Sequence, residues 1–205
     1  LADGFEEVEA IAPIDLLRRA EIEVDTVSLT DENFVQSARK VKVVADKVIS
    51  EIDFDKYDML VLPGGPGHKN YFKSQLLLDK VLEFSKDTKN KKVGAICAAP
   101  LILSELGILE NKKAICFPAC ESNLLAGNPI LTHEKVVVDG NIVTSRSAGT
   151  AIDFALEVIS QLLGNEKSKE VKDEIEKSII KAKEQIAYVS KMDSLMKASK
   201  VERNY

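Results

Sequence analysis

The sequence predicts an α/β fold with a doubly wound, mainly parallel sheet and helices on both faces. Three observations indicate this: strand-like and helix-like segments alternate, two continuous apolar runs end at small residues, and the helical segments are amphipathic. The apolar runs are DMLVL at 58–62 and VGAI at 93–96, and such runs suit parallel strands buried on both faces. In sheets of this kind, sites lie at the carboxyl ends of the strands.

The other elements follow from shorter patterns. Amphipathic spacing predicts helices at 10–20 and 151–163, and the segments at 76–86 and 97–106 also read as helices, the latter ending at Gly107. Alternation predicts a strand at 23–29, β-branched residues beside lysines predict an edge strand at 41–44, and 114–117 reads as a short strand. The run KVVVDGNIVT at 135–144 predicts a hairpin that turns at its DG pair.

The composition argues against some classes of function. The chain has 205 residues, 45% of them hydrophobic and 30% charged, and a net charge of −5. The negative charge argues against a nucleic-acid partner, and no apolar run approaches the roughly 20 residues that would span a membrane. The three cysteines suggest no disulfide framework, so we expect a reducing, cytoplasmic setting.

Cys97 is the first candidate catalytic residue. It follows the apolar run at 93–96 and opens a predicted helix through small residues, VGAICAAP at 93–100. A thiol on such a turn is exposed at the top of the sheet, and the helix amino terminus favours its reactive thiolate form. The alternative interpretation from spacing alone is a buried cysteine that acts as a small apolar residue.

A glycine-rich loop, LPGGPG at 62–67, follows the other apolar run. Gly64 and Gly65 allow a close backbone approach and could present amides to an oxyanion, although a tight turn is an equal alternative. His68 lies in the same loop and is a candidate for a substrate contact or a surface role. A zinc site at Cys116 and Cys120 is not expected, since neither has a convincing partner ligand.

Three glutamates, at positions 6, 7 and 9, precede the first predicted helix. Carboxylates at this position interact favourably with the helix dipole. One of the three could instead exchange a proton with the thiol. At the other end, the chain becomes rich in Lys and Glu from Asn165 onward. Its apolar stripe predicts a helix docked on the body, or alternatively against a second subunit; the stripe comprises Val171, Ile175, Ile179, Ala182, Ile186 and Val189.

Four separated blocks carry a family resemblance: LADGFEEVEAIAPIDLLRRA at 1–20, VLPGG at 61–65, AICAAP at 95–100 and TSRSAGTAIDFAL at 144–156. Through them the chain resembles the ThiJ/PfpI superfamily, in the branch of the human parkinsonism-associated deglycase (DJ-one) and the bacterial protein YajL. The resemblance implies a flavodoxin-like fold related to class I glutamine amidotransferases, with a nucleophile-elbow cysteine. It implies one domain over 1–182, a helical or frayed extension over 183–205, and a hydrophobic strand just upstream of the first residue.

The resemblance also implies roles for residues. Cys97 would be the functional thiol, and Glu9 the buried, protonated glutamate that hydrogen-bonds it. The amides of Gly65 and Ala98 would form an oxyanion-hole-like site. Residues lining its neighbourhood or a dimer contact would be Arg19 and Ser145, with His68 and Phe117 as further pocket candidates. The family implies a homodimer that needs no metal or organic cofactor.

Two departures from the family pattern bear on the chemistry. Phe117 precedes a proline where the human member has a histidine, and Ala98 follows the nucleophile where the PfpI branch has a histidine. Both departures argue against a cysteine–histidine dyad and against protease chemistry. The loop at 145–150 reads SRSAGT where the family commonly has a glycine and a proline, so the pocket rim is expected to differ.

Two functions compete at this stage. The first is a glyoxalase or deglycase acting on small reactive aldehydes or glycated proteins, in which Glu9 moves protons and Cys97 attacks the carbonyl carbon. The second is a redox sensor or stress chaperone whose Cys97 oxidises to a sulfinate. A thiazole-biosynthesis role, a label attached to this group, has no mechanistic support in the residues.

Overall fold

The computed structural model describes residues 1–176 and 188–192. Its strands are β1 (Val27–Ser28), β2 (Phe34–Gln36), β3 (Lys42–Val44), β4 (Lys47–Val48), β5 (Met59–Leu62), β6 (Lys92–Ile96), β7 (Lys113–Ala114), β8 (Ile130–Leu131), β9 (Val136–Asp139) and β10 (Ile142–Ser145). Its helices are α1 (Glu7–Arg19), α2 (His68–Tyr71), α3 (Gln75–Lys86), α4 (Pro100–Glu105), α5 (Glu121–Leu124) and α6 (Ala151–Leu163).

A four-stranded mixed sheet in the order β5-β6-β10-β9 forms the centre of the fold. The first three strands are parallel, with Val61 opposite Gly94 and Gly94 opposite Val143. Strand β9 runs antiparallel to β10, and Gly140 has a positive φ of 62° in the turn that joins them. The predicted hairpin is therefore confirmed, and so is the mainly parallel sheet.

Helices cover both faces of this sheet, as predicted. Because side chains alternate along a strand, β6 divides its residues between two apolar clusters. Val93 and Ala95 pack with α3 and α4 on one face, whereas Ile96 packs with α1 and α6 on the other. Strand β6 is buried from Val93 to Ile96, as the apolar run predicts.

The other apolar run, β5, was expected to be buried on both faces, and this expectation is wrong for Met59 to Val61, which are only partly buried. The reason is a mainly apolar cavity of about 790 Å³ beside the strand. The cavity separates β5 from a small parallel sheet of β1 and β4. Of the strand predicted at 23–29, the structure forms only the two residues of β1. These two residues pair with β4.

The structure modifies two further predicted strands, at 41–44 and 114–117. The edge strand predicted at 41–44 is β3, and it pairs antiparallel with β2, which sequence analysis did not identify. The short strand predicted at 114–117 is confined to β7, because Pro118 begins a 3₁₀ turn directly after Phe117.

The Lys- and Glu-rich segment is helical over 165–176 and docks on the body. Val171 is buried among residues of α1 and α6, with Ile175 packed beside it, and Glu174 forms a 2.9 Å ion pair with Arg19. The predicted docking is confirmed for this part. Val189, in the helical residues 188–192, is exposed, and the other predicted positions of the stripe lie outside the described residues: Ile179, Ala182 and Ile186.

The proposed boundary between 182 and 183, and most of the extension over 183–205, also fall outside the described residues. Among the helices that are described, none is long and apolar enough to cross a membrane.

Candidate active site

Cys97 occupies a sharp turn directly after β6, and its φ of 65° lies in the left-handed region. This conformation is strained for a residue other than glycine, so neighbouring elements must hold it. They do: the Cys97 amide donates to the carbonyl of Ser145 at 2.9 Å, and its carbonyl accepts from the amide of Phe117 at 2.8 Å. The thiol itself is half-buried. Helix α4 begins only at Pro100, three residues later than the sequence predicts.

Glu9 lies in the first turn of α1, next to the Cys97 thiol. Its side chain is buried and hydrogen-bonds the Cys97 sulfur. Its carboxylate oxygen Oε2 accepts from the amide of Gly64 at 3.0 Å, and the carboxyl also accepts from the amide of Ala148. Sequence analysis did not identify Ala148, because a backbone donor leaves no signal in residue type. The carboxyl group is thus fixed by amides from two different loops.

The space around Gly64 shows why that position is glycine. A Cβ there would lie 2.7 Å from the Cys97 Cβ and 2.7 Å from Glu9 Oε2, distances that real Cβ contacts do not reach. The sequence predicted that the Gly64 amide could bind an oxyanion. In the structure this amide instead donates to the carboxylate of Glu9. The amides of Gly65 and Ala98 instead hydrogen-bond the Cys97 sulfur. These two donors are placed to stabilise negative charge on, or next to, the sulfur.

The carboxyl and the thiol strongly affect one another. Burial raises the pKa of Glu9 to about 7. Hydrogen bonds from Cys97 and Gly64 lower this pKa, but their effect is smaller than that of burial. Burial and the charge of Glu9 raise the pKa of Cys97 to about 12, although the Gly65 and Ala98 amides lower it. This differs from the sequence expectation of a readily ionised thiol. A protonated Glu9 would remove the opposing charge, so the thiolate is favoured only when Glu9 holds the proton.

The remaining predicted site residues support the site or lie away from it. Ser145 is fully buried, and its hydroxyl bonds the hydroxyl of Thr150 at 2.7 Å, which anchors the loop that carries Ala148. Phe117 is exposed beside the elbow. His68 donates from Nδ1 to the carbonyl of Gly65 at 2.9 Å, so it braces the glycine-rich loop.

Arg19 is not brought to the thiol. It lies ten residues beyond Glu9 on α1, which corresponds to about 15 Å along a helix. Its guanidinium pairs with Asp15 and with Glu174 at 2.9 Å each. Arg19 therefore stabilises the docking of the helical residues 165–176 on α1.

Tyr71 is a supporting residue that sequence analysis missed. It is buried, and its hydroxyl donates to the carbonyl of Pro63 at 2.8 Å, just before the loop amides that contact Glu9 and Cys97. Burial, and next the charge of Glu9, raise the pKa of Tyr71. An isolated tyrosine in the short helix α2 gives no recognisable sequence signal for this role.

The other thiols are separate from the site. Cys116 is buried, Cys120 is partly exposed, and both are free. Across residues 1–176 and 188–192, no group of three or more His, Cys, Asp or Glu side chains is arranged to hold a metal ion.

Comparisons with known proteins agree with this geometry. Residues 1–161 match the DJ-1/PfpI family. The chain is 43% identical over 168 residues to protein DJ-1 homolog B of Arabidopsis thaliana, covering 82% of this chain but 38% of that protein. It is 37% identical over 171 residues to protein dj-1beta of Drosophila melanogaster, covering 83% of this chain and 91% of that protein.

Solved structures show the same likeness. The oxidized DJ-1 of Toxoplasma gondii superimposes with a TM-score of 0.79 at 35% identity, covering 85% of this chain and 94% of that one. The crystal structure of Drosophila melanogaster DJ-1beta gives a TM-score of 0.79 at 37% identity, with the same two coverages. From the elbow cysteine, its buried glutamate and these matches together, it follows that the chain belongs to the DJ-1/PfpI family.

Proposed function

We propose that this protein is a cysteine-dependent enzyme of the glyoxalase or deglycase type, acting on small reactive aldehydes or on their protein adducts. The observation that carries the proposal is the contact between Glu9 and Cys97. A buried carboxyl whose pKa lies at about 7 can both accept and donate a proton near neutral pH. The Gly65 and Ala98 amides beside the sulfur supply the electrostatic stabilisation that an addition step requires.

The steps for a 2-oxoaldehyde follow from this arrangement. Glu9 accepts the thiol proton while the Cys97 sulfur bonds to the aldehyde carbon, and it returns that proton to the resulting alkoxide to give a hemithioacetal. Glu9, again deprotonated, then moves the proton from that carbon to the neighbouring carbonyl carbon, while the hydroxyl proton passes to the former carbonyl oxygen. A thioester of a hydroxy acid results. Water cleaves the thioester, so the net change is addition of one water, and the thiol is regenerated.

A glyoxalase is favoured over a protease on two grounds. Ala98, not a histidine, follows the nucleophile. His68, the histidine nearest in sequence to the glycine-rich loop, has its Nδ1 hydrogen bond with the Gly65 carbonyl. The base in contact with the thiol is a carboxyl, which suits proton transfer within a small bound adduct.

The test is production of lactate from methylglyoxal and of glycolate from glyoxal. We expect turnover by the wild type, its abolition in Cys97→Ser, and a loss of about 10² or more in Glu9→Gln. Cys120→Ser is the matched control and should retain the wild-type rate, because Cys120 has no contact with the Glu9–Cys97 pair among those described. The assay is run with a chelator present, since the proposal assigns no metal. Absence of turnover by a folded, reduced wild type would contradict the enzyme proposal.

A redox sensor is the second candidate, and a different observation favours it. Cys97 is partly exposed whereas Cys116 is buried, so an oxidant reaches Cys97 more readily. A protonated Glu9 could donate a hydrogen bond to the resulting sulfinate. We expect peroxide titration followed by mass spectrometry to find the first sulfinate at Cys97, and equal oxidation of Cys120 would reject this candidate.

A further inference from the structure

A single peptide group joins Tyr71 to Glu9. On one side of it, the carbonyl of Pro63 accepts a hydrogen bond from the Tyr71 hydroxyl at 2.8 Å. On the other side, the amide of Gly64 donates to Glu9 Oε2 at 3.0 Å. A peptide group is rigid and planar, so a donor that fixes the direction of its carbonyl also fixes the direction of its N–H. The side chain of Tyr71 is therefore linked to the Glu9 carboxyl through two hydrogen bonds and one peptide plane.

The two amides that hydrogen-bond the Cys97 sulfur belong to peptide groups that are held in the same way. In one of them, the carbonyl of Gly64 accepts from the amide of Glu6 at 3.1 Å. In the other, the carbonyl of Cys97 accepts from the amide of Phe117 at 2.8 Å. Both of these donors are backbone groups, which a substitution does not remove. Tyr71 does the same work with a side chain, so its contribution can be measured by substitution.

The amide of Gly64 needs such a support. The peptide plane can turn about the backbone torsion angles on either side of it, and a glycine restricts its own torsion angle least. Tyr71 is only 1% exposed, and its phenol has one proton to donate, which the Pro63 carbonyl takes. In a buried site, hydrogen bonds in a chain polarise one another, so a donor on the carbonyl also strengthens the N–H as a donor. Tyr71 thus both directs and strengthens the hydrogen bond to Glu9.

His68, from the same short helix α2, provides a contrast. Its Nδ1 lies 2.9 Å from the carbonyl of Gly65. That carbonyl shares its peptide group with the nitrogen of Pro66, which has no N–H. The hydrogen bond of His68 therefore holds the loop in place but has no amide through which to act on Glu9.

From these contacts we propose that Tyr71 is a positioning residue for Glu9 and acts on it through the peptide group that joins Pro63 to Gly64. Its hydrogen bond to the carbonyl holds the amide of Gly64 against the carboxylate form of Glu9. The hydrogen bond from Gly64 lowers the pKa of Glu9 and so opposes the effect of burial. Loss of the Tyr71 hydroxyl should therefore raise this pKa further.

The titratable groups that face Glu9 come from three elements: Glu6 directly before α1, Cys97 at the elbow and Tyr71 on α2. The charge of Glu6 raises the pKa of Glu9, whereas the hydrogen bond from Cys97 lowers it. Burial raises the pKa of Tyr71, so its phenol stays neutral while Glu9 titrates. A substitution at Tyr71 therefore leaves the neighbouring charges in place and changes only the hydrogen-bond chain.

The test measures the proton affinity of Glu9 directly. The Glu9 carboxyl is followed by ¹³C NMR against pH in the full chain without substrate, and its resonance is assigned by its loss in Glu9→Gln. We expect Tyr71→Phe to raise the pKa of Glu9 by about 0.5 or more, because one hydrogen bond of ordinary strength is removed from the chain. Tyr57→Phe is the matched control: it loses a hydroxyl that donates to Asp25, and the pKa of Glu9 should not change.

A second variant decides the question should Tyr71→Phe fail to fold. Replacing Tyr71 by a tyrosine fluorinated next to the hydroxyl group keeps that hydroxyl and makes it a stronger donor, so the pKa of Glu9 should fall. An unchanged Glu9 titration in folded Tyr71→Phe would overturn the proposal, and so would a rise of the Glu9 pKa in the fluorinated variant.

The consequence for turnover rests on the proposed function. If Glu9 accepts the thiol proton, kcat/KM rises with pH as Glu9 loses its own proton, and this limb of the profile should move to higher pH in Tyr71→Phe by the same amount as the NMR titration. Absence of turnover in the wild type would contradict the enzyme proposal, whereas the NMR titration decides the role of Tyr71 on its own.

Discussion

Two residues, Glu9 and Cys97, set the chemistry of the site. Glu9 is buried and Cys97 is half-buried, each can carry a negative charge, and they are hydrogen-bonded to one another. A site of low polarity stabilises one such charge far better than two, so the pair gains and loses protons as a unit. The charge of Glu9 therefore adds to burial in raising the pKa of Cys97, and the pair retains a proton near neutral pH.

The raised pKa of Glu9 predicts that wild-type stability falls as pH rises. The folded state holds the Glu9 proton until about pH 7, whereas an unfolded glutamate releases it near 4.5. The stabilising contribution is therefore complete below about pH 4.5 and is lost as pH rises through about 7. We expect Glu9→Gln to remove a pH-dependent loss of about 3 kcal/mol between pH 4 and pH 8, measured by urea unfolding.

Glu7→Gln is the matched control for this prediction. At Glu7 burial raises the pKa, but hydrogen bonds from the Ser37 hydroxyl and the Arg39 amide outweigh it, so the pKa lies below its ordinary value. Its contribution therefore has the opposite sign and is lost as pH falls through that lowered pKa. A wild type whose stability does not change between pH 5 and 8 would contradict the assigned protonation of Glu9.

At the scale of elements, the site is built where two adjacent strands end. Strand β5 leads to Gly64 and Gly65, and β6 leads to the elbow at Cys97, while α1 delivers Glu9 between them. Parallel strands bring their carboxyl ends to one edge, so residues more than 30 positions apart in the chain meet without long loops. A Cβ added at Gly64 would lie only 2.7 Å from each of two neighbouring side-chain atoms, which shows how little room this junction has.

This crowding predicts a large effect of Gly64→Ala. The new Cβ would lie 2.7 Å from both Glu9 Oε2 and the Cys97 Cβ, so the carboxyl and the thiol must separate. We expect turnover to fall by about 10² or more and stability by about 1–3 kcal/mol, measured by kinetics and urea unfolding. In Gly149→Ala, the matched control, the new Cβ meets nothing closer than 3.9 Å, and both quantities should stay near wild type. Equal effects of the two substitutions would reject the steric explanation.

At the scale of the whole molecule, a mainly apolar cavity of about 790 Å³ lies between β1 and β5, and it leaves Met59, Leu60 and Val61 only partly buried.

Association is the second property at this scale, and we propose a homodimer. Val8 and Ile11 lie three residues apart on α1 and are 49% and 43% exposed, so they form an apolar strip on one side of that helix. A second copy of the chain would cover this strip. We expect the wild type to sediment as a dimer and Ile11→Asp to shift it to monomer, because the carboxylate would be buried unpaired. A monomeric wild type at micromolar concentration would contradict the proposal.

The sequence by itself determined the fold class and identified Cys97 as a candidate nucleophile. Alternating periodicities are local properties of the chain, so they predicted helices on both faces of a mainly parallel sheet. The strand, the turn of small residues and the helix that follow one another made Cys97 a candidate, and the family resemblance decided for it against a buried cysteine that acts as a small apolar residue. Glu9 emerged only from the family resemblance, since the local pattern did not separate it from Glu6 and Glu7.

Only the tertiary structure decided how the site works. The Gly64 amide binds Glu9 across 55 positions of sequence, and the Ala148 amide reaches the same carboxyl from farther still. The pKa values of Glu9 and Cys97 and the cavity beside β5 likewise depend on which residues exclude water from which atoms. Hydrogen-bond partners and burial are set by contacts between distant segments, and backbone amides carry no residue identity, so neither leaves a pattern in the sequence.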